Sequence, residues 1–192
     1  MSYHLTLSHV GIFVTDMPKM VDFYTGFLGF AESDRGATTN GGEIVFLTRD
    51  PREHHQVVLA TGRPADLPYN IVNQLSFRVD SLETLRELQR GIRNEHATEL
   101  GPVTHGNALS VYLRDPEQNR VELLIDTPWY VPQPCRVPVD LSLPDAELWA
   151  NIEQAVKSMP GFKSREAWAA EIERKIASAS ARRRRAAAPS LA

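Results

Sequence analysis

The stretches Ser8–Asp16 (SHVGIFVTD) and Asn73–Ser81 (NQLSFRVDS) are two versions of one pattern. Laid in register, His9 matches Gln74, Val10 matches Leu75, Ile12 matches Phe77, Val14 matches Val79 and Asp16 matches Ser81. Apolar residues on every second position mark each stretch as a half-buried strand. Each strand then runs into an amphipathic helix, so the chain reads as an internal duplication. A polar side chain able to bind metal stands at the head of both equivalent strands, which points to a site built between two repeats.

Working outward, the first strand spans Leu5–Thr15, with Asp16 as N-cap and Pro18 in the first helical turn. Met20, Val21, Phe23, Tyr24, Phe27 and Leu28 recur at helical spacing, and Gly29 supplies the stop. Extended pieces follow at Phe30–Asp34, Glu43–Thr48 and Gln56–Ala60. The second copy repeats the order: strand Leu75–Val79, helix Leu82–Arg93, then extended segments Ala97–Pro102, Ala108–Arg114 and Arg120–Ile125, with a turn at Asp115–Asn119. Thr61–Asn70 has the glycine and proline content of a linker. The fold class is therefore α+β, two paired βαβββ modules with a C-terminal helical extension. Module 1 covers about 5–62 and module 2 about 71–126 of a domain at 1–126. Pro128, Pro132, Pro134 and Pro138 force an extended linker over 127–144. Helices are expected over Asp145–Met159 and Ser164–Ser178, carrying Trp149, Ile152 and Val156 on one and Trp168, Ile172 and Ile176 on the other. Their tryptophans read as core anchors or as a lid over a pocket mouth. The segment 179–192, with Arg182–Arg185, reads as a basic disordered tail.

With 192 residues, 42% hydrophobic and 23% charged, the chain can bury a core of ordinary size. A net charge of −3 gives no field to gather nucleic acid or an anionic membrane. The single cysteine, Cys135, excludes an internal disulfide and suits a reducing compartment. Neither a signal peptide nor an apolar stretch long enough to span a bilayer is read, so the cytoplasm is the expected location.

Glu122 lies among apolar neighbours in Arg120-Val121-Glu122-Leu123-Leu124, while its duplicate position is Val58. Alone, it reads as an outward-facing residue of an alternating strand. His9 alone reads as a half-buried histidine satisfied by backbone, and Gln74 as a hydrogen-bonded amide. Together His9, Gln74 and Glu122 offer one nitrogen, one neutral oxygen and one anionic oxygen, a set suited to Fe, Mn, Ni or Zn.

The paired modules, Leu7-Ser8-His9-Val10, the helix end Phe23–Phe30 (FYTGFLGF) and the ending Asp115–Leu123 (DPEQNRVEL) resemble the vicinal oxygen chelate superfamily. That group includes glyoxalase I, fosfomycin-resistance proteins and type I extradiol ring-cleaving dioxygenases. The resemblance covers Leu5–Asp126 and implies a cupped mixed sheet. His54-His55 before Gln56–Leu59, His105 of Thr104–Ala108 and Tyr112 of Ser110–Leu113 are similar to the extradiol branch. The resemblance implies that His54, with His55 competing, shuttles a proton, and that His105 and Tyr112 hold the substrate and oxygen adduct. It implies His9, Gln74 and Glu122 as metal ligands, Fe(II) as the metal with Mn, Ni or Zn as alternatives, and a small biphenyl-diol-like catechol and O2 as reactants. Those enzymes use two histidines and a carboxylate, and Gln74 stands where the second histidine is expected. A glyoxalase-like isomerase or lyase and a metal-free binding protein therefore stay open beside the dioxygenase. A homodimer is compatible with this fold.

Overall fold

The computed structural model describes residues 5–67, 70–92 and 98–186. Module 1 contains β1 (Val10–Val14), α1 (Met17–Asp22), a π-helical turn (Phe23–Phe27), β2 (Ala31–Ala37), β3 (Glu43–Thr48) and β4 (Val57–Thr61). Module 2 contains β5 (Leu75–Arg78), α2 (Leu82–Gly91), β6 (Thr98–Thr104), β7 (Ala108–Arg114) and β8 (Arg120–Asp126). Beyond it lie β9 (Trp129–Tyr130), β10 (Val137–Pro138), α3 (Asp145–Lys157), β11 (Lys163–Ser164) and α4 (Arg165–Ala186).

Sheet topology bears out the duplication. Module 1 forms a four-stranded sheet in the order β1-β4-β3-β2, and module 2 repeats it as β5-β8-β7-β6, with β10 added beside β6. β1 runs parallel to β4, with Ile12 opposite Leu59, while β3 is antiparallel to β2 and β4. The strands are thus mixed, as a βαβ crossover followed by hairpins requires.

β1 is shorter than the alternation in Leu5–Thr15 suggests, because β4 supplies partners only from Val57 to Thr61. Leu5 and Leu7 precede it and are exposed. The helix of module 1 begins as expected, Asp16 accepting a 3.1 Å hydrogen bond from the Lys19 amide with Pro18 behind it. It then widens into a π turn, in which the Leu28 amide reaches back to the Phe23 carbonyl and the Thr25 hydroxyl donates to the Val21 carbonyl. Gly29, at φ 69°, ends it in the left-handed conformation that a Cβ disfavours. Arg93 and Ala97, at the expected ends of α2 and β6, lie outside the described residues.

By internal contacts the chain divides into two units. The first comprises Met1–Phe77, Glu83–Leu100 and Tyr112–Leu123; the second comprises Arg78–Leu82, Gly101–Val111 and Leu124–Ala192. In the first unit, Met17, Met20, Phe23 and Tyr24 are buried, as are Val14, Val45, Leu47, Val57 and Leu59 of the strands. The turn between β7 and β8 is fixed by Asp115, whose buried carboxylate accepts from the amides of Glu117 and Asn119 and from the Asn119 side chain. That turn aims Glu117 at the end of β1. Its Oε1 accepts the Thr15 and Asp16 amides at 2.6 and 2.7 Å, and its Oε2 lies 3.2 Å from Arg63.

In the second unit, Leu148, Ile152 and Val156 form the buried stripe of α3. Trp149 is half-buried and meets Trp129 edge-on, and Trp168 stacks on Tyr130 with ring centroids 5.3 Å apart. Both tryptophans therefore pack on the proline-rich segment. Ile176 is exposed, so the apolar stripe expected along α4 fades before its last turns. α4 also continues through Arg182–Arg185 to Ala186, where the composition suggests an unstructured tail; 187–192 lie outside the described residues. No helix among the described residues is long and apolar enough to cross a membrane.

Glu117→Ala removes the shared acceptor of two amides and an arginine, so urea unfolding should show a loss of about 1–3 kcal/mol. Glu117→Gln keeps an acceptor oxygen and should lose less.

Candidate functional site

Glu122 stands in the middle of β8 and is 5% exposed. A carboxylate so placed must be met by donors, because an unsolvated charge costs several kcal/mol. Three are supplied by neighbouring strands. The Tyr112 hydroxyl on β7 donates to Oε1 at 2.7 Å, and the Ser76 hydroxyl on β5 donates to Oε2 at 2.5 Å. The Gln74 amide, just before β5, donates to Oε2 at 2.9 Å and lies 3.0 Å from the Ser76 hydroxyl. Tyr112 is half-buried, and burial, the hydrogen bond and the charge of Glu122 all push its phenol well above the ordinary tyrosine range. It stays protonated near neutrality and keeps donating.

A second cluster of side chains stands in module 1. His9 directly precedes β1, and its ring centroid lies 4.2 Å from that of His55. His54 and His55 meet with Nδ1 atoms 2.8 Å apart, and the Phe46 ring lies 5.6 Å from one imidazole and 5.1 Å from the other. Neither histidine lies within β4, which begins at Val57, so the alternation of a strand does not send the two side chains to opposite faces. The intervening backbone turns, and both imidazoles reach the same place. His55 is the more buried and faces His9; His54 is exposed and lies 3.8 Å from Asp34. Partial burial, helped by His9 and His54, holds the His55 imidazole below its ordinary affinity for protons.

The repeat shows why the polar cluster occurs once. The register that matches His9 with Gln74 matches Gly11 with Ser76, and Gly11 pairs with Val58, the duplicate of Glu122. Val58 in turn pairs with Phe46. Module 1 therefore carries Gly11, Val58 and Phe46 where module 2 carries Ser76, Glu122 and Tyr112. Ser76 is a site residue that the sequence reading missed. Its signal was present: a hydroxyl on the column next to the carboxylate, at a position where the first copy has glycine.

His105 belongs to the second unit, in the turn between β6 and β7. Its Nδ1 lies 2.5 Å from the Cys135 carbonyl oxygen, and its own carbonyl accepts from the Gln133 side chain at 2.7 Å.

Among the described residues, no three His, Cys, Asp or Glu side chains gather in a way that could hold a metal. By donor type, a carboxylate, an amide and an imidazole suit a divalent metal. Gln74 and the hydroxyls of Ser76 and Tyr112 meet Glu122, whereas His9 stands against His55. Gln74 now turns its nitrogen toward Glu122, and half a turn about its terminal bond would present its oxygen.

Comparison with known proteins agrees with the fold. The family model described as "Glyoxalase/Bleomycin resistance protein/Dioxygenase superfamily" matches residues 6–123. Two biphenyl-2,3-diol 1,2-dioxygenases of Rhodococcus globerulus are similar to the chain. One, numbered 3, is 30% identical over 62% of this chain and 63% of its own length; the other, numbered 2, is 28% identical over 62% of each. The chain thus spans less than two thirds of either relative. A crystal structure of a glyoxylase/bleomycin resistance protein/dioxygenase domain from a Frankia species aligns with a TM-score of 0.55 at 20% identity. It covers 65% of this chain and all of that one.

Replacing Tyr112 by Phe leaves Glu122 without its Oε1 hydroxyl donor, and denaturant melts should show a loss of about 1.5–3 kcal/mol. For His55, the folded state binds protons less readily than the unfolded chain, so its contribution favours unfolding as pH falls below the ordinary value of 6.5. Proton NMR should find His55 titrating below 6.5, and His9→Ala should move its midpoint upward.

Proposed function

The chain belongs to the glyoxalase/bleomycin resistance protein/dioxygenase superfamily, and on that premise we propose that it is a metal-dependent, extradiol-type dioxygenase opening the ring of a small catechol, biphenyl-diol-like in size. The observation that carries this reading is the hydrogen bond between Tyr112 and Glu122. It joins a residue to which the extradiol resemblance gives substrate positioning with one to which it gives metal ligation. The likeness to the two biphenyl-2,3-diol dioxygenases supports the same substrate class.

In this reading His9, Gln74 and Glu122 hold the metal, Fe(II) in the first place and Mn, Ni or Zn otherwise. A bound metal of this kind supplies chelation of two adjacent substrate oxygens and a route for electrons to O2. The residues of the chain do the rest. The hydroxyls of Ser76 and Tyr112 donate to Glu122, so its orientation is set before anything binds. Tyr112, protonated, can donate to a substrate oxygen as well as to Glu122. His55, disposed to be neutral, is suited to take a catechol proton, and the 2.8 Å approach of the two Nδ1 atoms lets His54 pass it toward solvent. His105 acts as a further positioning group.

A glyoxalase-like isomerase or lyase is the second reading. It is favoured by Gln74, a neutral amide where the extradiol pattern has imidazole, because such chemistry needs a Lewis acid without a change of redox state.

The test is anaerobic purification, elemental analysis and exposure to catechols in air, with oxygen uptake and the absorbance of ring-opened products recorded. Stoichiometric iron with catechol-dependent oxygen uptake is expected, and Glu122→Ala should lose the metal. Metal-loaded protein that consumes no oxygen with any catechol overturns the dioxygenase reading. Gln74→His should strengthen iron binding; unchanged affinity would remove Gln74 from the ligand set.

A further inference from the structure

The turn His105-Gly106-Asn107 joins β6 to β7 and lies within the span matched by the family, which ends at residue 123. Hydrogen bonds to its carbonyls come from beyond that span. Each of its three carbonyls is met by a donor from Thr127 onward. The His105 carbonyl accepts from the Gln133 side chain at 2.7 Å, and the Gly106 carbonyl accepts from the Thr127 hydroxyl. The Asn107 carbonyl accepts from the Thr127 amide at 3.2 Å and from the Arg165 guanidinium at 3.0 Å. Arg165 is anchored in turn, 3.0 Å from Asp126.

Gly106 has φ 78°, and a Cβ there would come within 2.3 Å of Val131, which is buried, so the extension packs directly on the turn. The side chain of the turn's histidine is gripped as well. Its Nδ1 lies 2.5 Å from the Cys135 carbonyl oxygen, and the Cys135 amide is fixed by the Gln133 side chain at 3.1 Å. A carbonyl oxygen can only accept, so Nδ1 carries a proton.

We infer that the C-terminal extension is a positioning element for His105, its residues Thr127, Gln133, Cys135 and Arg165 fixing the ring as the Nδ1–H tautomer. The effect on turnover rests on the dioxygenase reading, in which Gln133 and Arg165 are positioning residues acting through His105.

The experiment is nitrogen-15 NMR of the full chain at neutral pH, with the His105 signals identified by their loss in His105→Gln. The inference expects the Nδ1–H tautomer in the unaltered protein. An Nε2–H form, or equal averaging of the two, overturns it whatever the protein catalyses. The variant Gln133→Ala/Arg165→Ala should average the His105 signals and lower kcat with catechol by about tenfold, with KM little changed, a loss typical of removing an outer support of a site residue. Arg165→Lys should recover part of it. A kcat unchanged in that variant, with its tautomer also unchanged, overturns the positioning role. Should no catechol be turned over, the dioxygenase reading fails while the tautomer result still decides this one.

Discussion

A carboxyl group buried in the middle of a strand sets the terms for everything around it. Water can scarcely solvate Glu122 at 5% exposure, so the strands on either side must bring donors to both of its oxygens. They do so with side chains that would otherwise be unremarkable: a tyrosine on β7, a serine on β5 and a glutamine before it. Each donor also constrains the others. Gln74 bonds both Glu122 and Ser76, so the three form a closed network whose geometry is fixed by sheet register rather than by flexible loops.

Duplication explains how such a network can exist at all. Two copies of the same strand order set equivalent columns side by side, and in the first copy those columns are filled by Gly11, Val58 and Phe46. An apolar triplet needs no satisfaction and is free to serve as packing. The second copy trades the same three positions for hydroxyl, carboxylate and phenol, taking on the desolvation of a charge in exchange for a chemically competent group. Phe46 keeps a part in the first copy, since it packs against the two imidazoles that precede β4.

The strand order, the duplicated modules and the starts of the helices were legible in the sequence, because alternation, N-caps and terminal glycines are local signals. The lengths of elements were less so. β1 stops where β4 stops, α1 passes into a π turn, and α4 runs on through its arginines; each depends on partners or hydrogen bonds that one-dimensional patterns do not carry. At the candidate site, Glu122 stood out as a charge among apolar neighbours and His9 with Gln74 as matching strand heads. Ser76 did not, since a serine on an alternating strand is ordinary until the carboxylate beside it is seen. The relation of His54 to His55 was also unreadable, because it follows from a backbone that is not yet extended at those positions.

The proline-rich segment makes the same point from the opposite direction. Residues after Thr127 read as a linker and two peripheral helices, and prolines do prevent most of that stretch from joining a sheet. A chain that cannot pair its own backbone still has donors and acceptors to place, and here the turn at His105–Asn107 takes several of them. Surface turns usually leave their carbonyls to water and stay mobile. Three carbonyls each met by a protein donor, with a valine methyl in the space a Cβ would need at Gly106, leave this one little freedom to rearrange. The extension therefore adds its own constraints to a turn the hairpin already closes, and the setting of His105 depends on residues that lie outside the part of the chain its family shares.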